Sequence, residues 1–155
     1  MKNFKSFRNF ILEQKTTRII MLGGPGSGKS TYTEYLTKRY NIPHIYPGGM
    51  MRTEIEKQTE LGKQLSTILG KGNFAPNEIV LKLIKDRIAK PDTSNGFVLD
   101  GYPRYMQQVK DMEEMGIGYD FAVYLDVDRE EVIRRLTARG RKDDVPEIIN
   151  KRIDL

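Results

Sequence analysis

With 155 residues, 38% hydrophobic and 30% charged, the chain has the size and balance of a single soluble domain. It has no cysteine, one histidine (His44) and no apolar run beyond a few residues, which excludes disulfides, thiolate chemistry, a multi-histidine metal site and a membrane span. The net charge of +5 suggests nucleic acid, but Lys2, Lys5, Arg8, Lys15 and Arg18 against Glu13 put most of it in the first residues, so neither nucleic acid nor membrane is expected as a partner.

In that first stretch Phe4, Phe7 and Ile11 fall at helical spacing among basic residues, so residues 1–17 read as an extension able to form a basic amphipathic helix. It either packs on its own domain or leads the chain to an organelle or a virion. Glu13 and the lack of a cleavage pattern count against an organellar presequence, and a cytoplasmic setting is the expectation. From Arg18 onward strands and helices alternate. Ile19–Leu22 is a short apolar run ending in glycines, a buried strand that stops at a loop. Lys29–Tyr40 is helical, and Asn41–Ile45 is a short extended piece broken by Pro43. Gly48–Gly49 turns the chain into helical Met50–Thr59, and Leu61–Leu69 follows as a second short helix. Pro76 opens a third, in which Ile79, Leu83, Ile84 and Ile88 keep helical spacing. A loop over Lys90–Gly96 leads into Phe97–Asp100 and then a helix over Tyr105–Met115. The strand Phe121–Asp126 and the helix Asp128–Arg139 complete the pattern, and both of these later strands end at an aspartate. Strands separated by helices predict a parallel sheet with right-handed crossovers, hence an α/β fold of residues 18–155.

One motif carries chemistry outright. Gly23-Gly-Pro-Gly-Ser-Gly28-Lys29-Ser30 fits G-x-x-x-x-G-K-[ST] in full, between an apolar run and a helix. Its glycines let the backbone curl so that several N–H groups converge on phosphate oxygens, and the next helix points its positive end there. Lys29 adds a point charge, and the Ser30 hydroxyl is placed to ligand Mg²⁺. A glycine-rich turn that binds nothing is the bland alternative, and the strand-to-helix context argues against it.

This phosphate loop, with Pro25 inside it, resembles that of the adenylate kinases and the wider nucleoside monophosphate kinase family. Phe97-Val-Leu-Asp-Gly-Tyr-Pro-Arg104 is similar to that family's strand-to-acceptor motif, and Arg141-Lys-Asp-Asp144 followed by Arg152 is similar to its closing motif. His44-Ile-Tyr-Pro-Gly-Gly-Met-Met-Arg52 resembles the segment that opens the monophosphate site. The resemblance implies a P-loop NTPase-like parallel sheet flanked by helices, a helical monophosphate-binding insertion over about 48–88, and a very short lid over 139–141. It implies transfer of the γ-phosphoryl of Mg-ATP to a nucleoside monophosphate, most simply AMP. For ATP it implies Gly24, Gly26, Ser27, Gly28, Lys29, Ser30, Thr31, Arg135 and Arg139. For AMP it implies Arg52, Ala75, Gly101, Arg104, Gln108, Arg141 and Arg152. Lys29, Arg104, Arg139, Arg141 and Arg152 become the catalytic cations, with Ser30 and, through water, Asp100 serving Mg²⁺.

Each of these residues has a plainer role open to it. Arg135 and Arg139 can pair with Glu130 or Glu131 on their helix, and Arg152 can face water. Asp100 can cap the Gly101 turn, and Asp143 and Asp144 can position arginines or cap the last helix. His44 reads as structural, a neutral imidazole with no partner to act on.

The departures are specific. Tyr46-Pro47-Gly48-Gly49 stands where the family usually has serine-threonine-glycine-aspartate, so a hydroxyl and a carboxylate are missing near the base. Ser30 stands where adenylate kinases commonly have glycine. Only Gly140 separates Arg139 from Arg141. The chain ends at Leu155, where the family continues with another strand and helix, so an unfinished sheet edge along Phe121–Asp126 is expected, either paired in a dimer, covered by the N-terminal segment, or leaving the chain only marginally stable. Alternative functions are a pyrimidine or deoxynucleoside monophosphate kinase, and a degenerate nucleotide-binding domain with little turnover.

Overall fold

The computed structural model describes residues 16–70, 73–141 and 144–154. The expected helix around Phe4, Phe7 and Ile11 and the side chain of Asp143 lie outside the described residues. Among those residues, four parallel strands in the order β2-β3-β1-β4 form one sheet flanked by seven α-helices, the α/β architecture that the alternation predicts. The strands are β1 (Thr17–Gly23), β2 (His44–Ile45), β3 (Gly96–Asp100) and β4 (Phe121–Leu125). The helices are α1 (Lys29–Tyr40), α2 (Pro47–Glu56), α3 (Glu60–Gly70), α4 (Asn77–Ile88), α5 (Met106–Glu114), α6 (Arg129–Arg139) and α7 (Pro146–Ile153).

Burial along the strands explains this order. All five residues of β3 are buried, as befits a strand with neighbours on both edges and helices on both faces. In β1 the side chains alternate between two cores. Ile19 and Met21 join Ile42 and Val98 under α1, while Ile20 joins Ile45, Phe97 and Leu99 on the other face, where α2 to α5 pack. β4 alternates between half-buried and exposed residues at the sheet margin, with β1 as its strand partner among the described residues. A third, smaller core of Val132, Leu136 and Ile149 joins α6 to α7.

The element bounds differ from expectation in two places that bear on function. β1 begins at Thr17 rather than Ile19, because Thr17 lies in register with Gly96 and donates its N–H to the Asn95 carbonyl at 3.0 Å. More consequentially, Gly48 and Gly49 are not a turn. They belong to the first turn of α2, which starts at Pro47, a residue whose fixed φ and missing N–H suit that position. The helix gives out before Gln58, which has a positive φ of 53°. Between β2 and β3 the chain thus inserts three helices, and α3 lies so close to α2 that a Cβ on Gly62 would sit 2.0 Å from the Glu54 carbonyl oxygen.

Candidate active site

The phosphate loop leaves β1 at Gly23 and enters α1 at Lys29. Gly28 holds a left-handed conformation at the helix start (φ 93°), which a residue with a Cβ adopts only under strain. No side chain caps this helix and no acidic residue occupies its first turn, so its amides and positive end are left for an anion. The loop rests against α6: a Cβ on Gly26 would lie 2.9 Å from Leu136 Cγ, and one on Gly28 would lie 3.7 Å from Arg135 Nη1. Arg135 therefore reaches the loop while its Nε donates to Glu131 Oε1 at 2.7 Å, the plainer pairing expected of it.

Lys29 folds into the loop it follows. Its ammonium donates to the carbonyls of Gly23 (2.8 Å) and Gly24 (2.6 Å) and to Ser27 Oγ (3.3 Å). Burial above all holds its pKa below the ordinary lysine value, and Arg104 and Arg139 push the same way against the pull of Asp100 and Tyr46. Asp100 closes β3, 1% exposed, with Oδ2 accepting from Ser30 Oγ at 3.2 Å. Its other oxygen, Oδ1, is buried without a hydrogen-bond partner among the described residues. His44 Nε2 also lies 3.2 Å from Asp100 Oδ2, so the histidine read as lacking a partner has one.

Arginines arrive from four directions. Arg104 follows β3; its Nε donates to the Gly101 carbonyl at 2.9 Å and its guanidinium lies over the Phe74 ring, 5.0 Å from the centroid. Desolvation, then neighbouring Arg152, lowers its pKa, while Tyr46 and Asp100 offset part of this. Arg52 comes from α2 and lies over the Tyr46 ring at 5.1 Å. Arg141 reaches the same tyrosine from the segment after α6. Arg139 does not pair with Glu130 or Glu131. It grips Asp144 with two bonds, Nε to Oδ2 at 2.8 Å and Nη2 to Oδ1 at 2.6 Å, and Asp144 also accepts the Arg141 N–H at 3.1 Å. The short link from α6 to α7 is thereby fastened by one carboxylate.

The Asp144 clamp makes a pH prediction. Burial alone would raise its pKa, but the bonds from Arg139 and the Arg141 amide hold it below the usual aspartate value; Asp120, paired with Arg18, behaves likewise. A carboxyl depressed in the folded state contributes stability that is whole above its unfolded pKa, about 3.9, and is lost as pH falls through the lower native value. The melting temperature is therefore expected to fall as pH drops below about 4, and Asp144→Asn should flatten that limb. An Asn variant with an unaltered acid limb would show that the clamp contributes nothing.

Gln108 is placed differently from a free recognition amide. It is 5% exposed; its Oε1 accepts the Arg104 N–H at 2.7 Å and its Nε2 donates to Asn77 Oδ1 at 3.1 Å. Asn77 in turn donates to Asp111, which also accepts from Gln107 Nε2 at 3.0 Å. Ala75 is buried in the core beside this network, Gly101 turns with φ 74°, and Thr31 is exposed with its amide bonded to Gly28. Sequence reasoning passed over Phe74 and Asn77, neither of which belongs to a short motif; it named Tyr46 as a departure from the family but gave it no role, although the pair of glycines beside it was a signal.

Comparison with known proteins agrees with this arrangement. The profile of the adenylate kinase family matches residues 21–155. The adenylate kinase of Caldicellulosiruptor bescii is 43% identical over 126 residues, covering 79% of this chain and 59% of that protein. That of Baumannia cicadellinicola is 43% identical over 122 residues, covering 79% and 57%. The chain thus matches a little under three fifths of the length of these curated relatives. The match runs from the strand feeding the phosphate loop to the last described helix, over every element that brings a cation to Lys29, and the chain belongs to the adenylate kinase family.

Proposed function

We propose that this chain transfers the γ-phosphoryl group of Mg-ATP reversibly to a nucleoside monophosphate, with AMP the best acceptor. The observation that carries the reading is the convergence of Lys29, Arg52, Arg104, Arg141 and Arg139 on the mouth of the phosphate loop beside Asp100. Two phosphate groups that must meet repel each other, so in-line transfer needs cations around the moving group more than it needs covalent chemistry. The acceptor oxygen is already ionised at neutral pH, so no general base is required. In this reading the loop amides and Lys29 hold the donor phosphates, with Arg135 and Arg139 at the same end. Arg52 and Arg104 hold the acceptor phosphate, and Arg141 and Arg152 bridge the two. Arginine suits these places because its planar fork takes two phosphate oxygens at once.

Adenylate kinases generally use Mg-ATP, and the residues here fit the ion. Asp100 Oδ1 is a buried carboxylate oxygen without a partner among the described residues, next to the Ser30 hydroxyl. One carboxylate and one hydroxyl, with waters and substrate phosphates completing the shell, make an oxygen set that suits Mg²⁺. Bound there, Mg²⁺ would neutralise and orient the donor phosphates.

An acceptor panel with Mg-ATP tests the proposal. AMP or dAMP should give the highest kcat/KM, with GMP, CMP and UMP weaker. Gln108→Ala should lower the AMP value by a few-fold to about tenfold, because Arg104 loses the acceptor that holds its backbone N–H in place. It should also lower the melting temperature, because the Arg104 N–H and the Asn77 carboxamide lose their buried partner. CMP or UMP exceeding AMP would replace this reading with a pyrimidine kinase, and tight nucleotide binding without turnover would leave a binding domain. A cytoplasmic setting is proposed with it, supported by a chain without cysteine, which has no need of an oxidising compartment. So is association through the sheet margin, supported by the 66% exposure of Tyr124 on β4; light scattering showing a monomer at all concentrations would remove it.

A further inference from the structure

The proposed reaction gives Tyr46 no role. Its ring is cradled on several sides. A Cβ on Gly48 would lie 2.9 Å from its Cε2, one on Gly49 2.9 Å from its Cδ1, and one on Gly101 3.7 Å from its Cε2. The His44 ring stacks beside it, with centroids 5.6 Å apart and planes 6° from parallel. Two consecutive glycines are poor helix formers and do nothing to stabilise the first turn they occupy. Their place at the start of α2 is explained by the room they leave: an aspartate at position 49, as the family usually has, would drive its first carbon into the ring. Tyr46 and Gly49 are therefore one substitution in two parts, made beside a glycine, Gly48, that the family usually has as well.

Arg52 covers the ring face at 5.1 Å, and the guanidinium groups of Arg52 and Arg141 both lie within reach of the phenolic oxygen. Lys29 and Arg104 lie within its field. Burial raises the Tyr46 pKa, and the two arginines more than offset this, so that it lies below the ordinary tyrosine value. An oxygen at the focus of four cations stands where an anion belongs. We propose that Tyr46 tunes acceptor affinity by holding the acceptor-phosphate seat itself: a monophosphate binds by exchanging the phenolic oxygen for a phosphate oxygen on Arg52 and Arg141. This rests on the phosphoryl-transfer reading for the identity of the ligand, though not for the existence of an anion seat. The exchange discounts affinity, because part of what the arginines give to the phosphate they first withdraw from the phenol. It favours groups with several charged oxygens, which outbid one phenol on two forks, over singly charged ligands.

Tyr46→Phe tests this, since it keeps the ring in its cradle and removes the oxygen. Inorganic phosphate binding, measured by calorimetry, should tighten about three- to tenfold, equivalent to about 0.7–1.4 kcal/mol. KM for the monophosphate should fall by the same factor, with kcat and the KM for Mg-ATP changed by less than about twofold, and with an unaltered thermal transition. A purely structural tyrosine would shift the transition and leave the phosphate constant alone. Weaker phosphate binding in the Phe variant would mean that the phenol donates to the bound phosphate instead of yielding to it, and unchanged binding would mean that it takes no part; either result overturns the proposal. The two readings separate cleanly. If the unmodified chain transfers phosphate to no monophosphate yet Tyr46→Phe still tightens inorganic phosphate, the activity assignment fails and the seat stands. If AMP is a good substrate and its KM ignores the substitution, the reverse holds.

Discussion

Lys29→Ala is expected to lower the rate of phosphoryl transfer about 10³-fold while leaving the fold in place. The argument weighs what the ammonium does for the loop against what it would do for a transferring phosphoryl group. In the loop it donates to two carbonyls and one hydroxyl at a partly open mouth, so those acceptors can turn to water when it is removed. Removal also relieves its repulsion by Arg104 and Arg139. The net cost in stability should stay within about 1 kcal/mol. In the reaction the same charge would lie against the phosphates where negative charge shifts, and preorganised charges of this kind carry the largest single share of many rate enhancements. A coupled assay beside a thermal melt checks both halves. A rate within tenfold of the unmodified chain would remove the phosphate loop from the mechanism.

The largest expected loss of stability comes from a residue far from that chemistry. Gly96 opens β3 with φ 117°, outside the range that side chains tolerate, and a Cβ there would lie 1.9 Å from the Thr17 carbonyl oxygen. The atoms in the way belong to the backbone of β1, the register partner of β3, so no rotamer change relieves the contact. Backbone strain of about 1–3 kcal/mol adds to an overpacking cost of similar size. Gly96→Ala should therefore cost about 3–5 kcal/mol, a large share of a typical stability of 5–15 kcal/mol. At about 2–4 °C per kcal/mol for a chain of this size, the melting temperature should fall by roughly 6–20 °C. A shift under about 3 °C would mean that the first residues of β1 and β3 can part without loss.

Residue by residue, the sequence was informative where short-range rules act and silent where distant segments meet. The alternation of apolar runs and helices predicted the parallel sheet because β1 and β3 are buried on both faces and so read as unbroken apolar runs. The glycines of the phosphate loop were legible for the same local reason, a fixed spacing between strand and helix. Gly48 and Gly49 were misread as a turn. Rules for glycine concern its backbone freedom, whereas here it supplies space for the ring of Tyr46. His44 seemed partnerless because its partner, Asp100, is 56 residues away and reaches it only once β2 lies beside β3. Gln108 was read from its spacing to Arg104, which gave no sign of Asn77, 31 residues earlier, waiting for its amide.

The Asp144 clamp has a consequence for how this enzyme family's cycle would run on such a chain. Six residues, 140–145, join α6 to α7, and the aspartate fastens both Arg139 and the Arg141 amide within that link. Fully extended, six residues reach about 20 Å, and tied at both ends they can rise only about half as far. A link of that reach leaves little room for a flap over a donor nucleotide held as proposed. In the proposed reaction, drying the centre would then fall to the α-helical insertion between β2 and β3, so that acceptor binding, which the proposal gives to Arg52 on that insertion, would also be the step that shuts out water. Without an acceptor the terminal phosphate of ATP would face solvent beside Lys29, and slow wasteful hydrolysis, suppressed as AMP is added, is the trace that such a one-sided enclosure leaves.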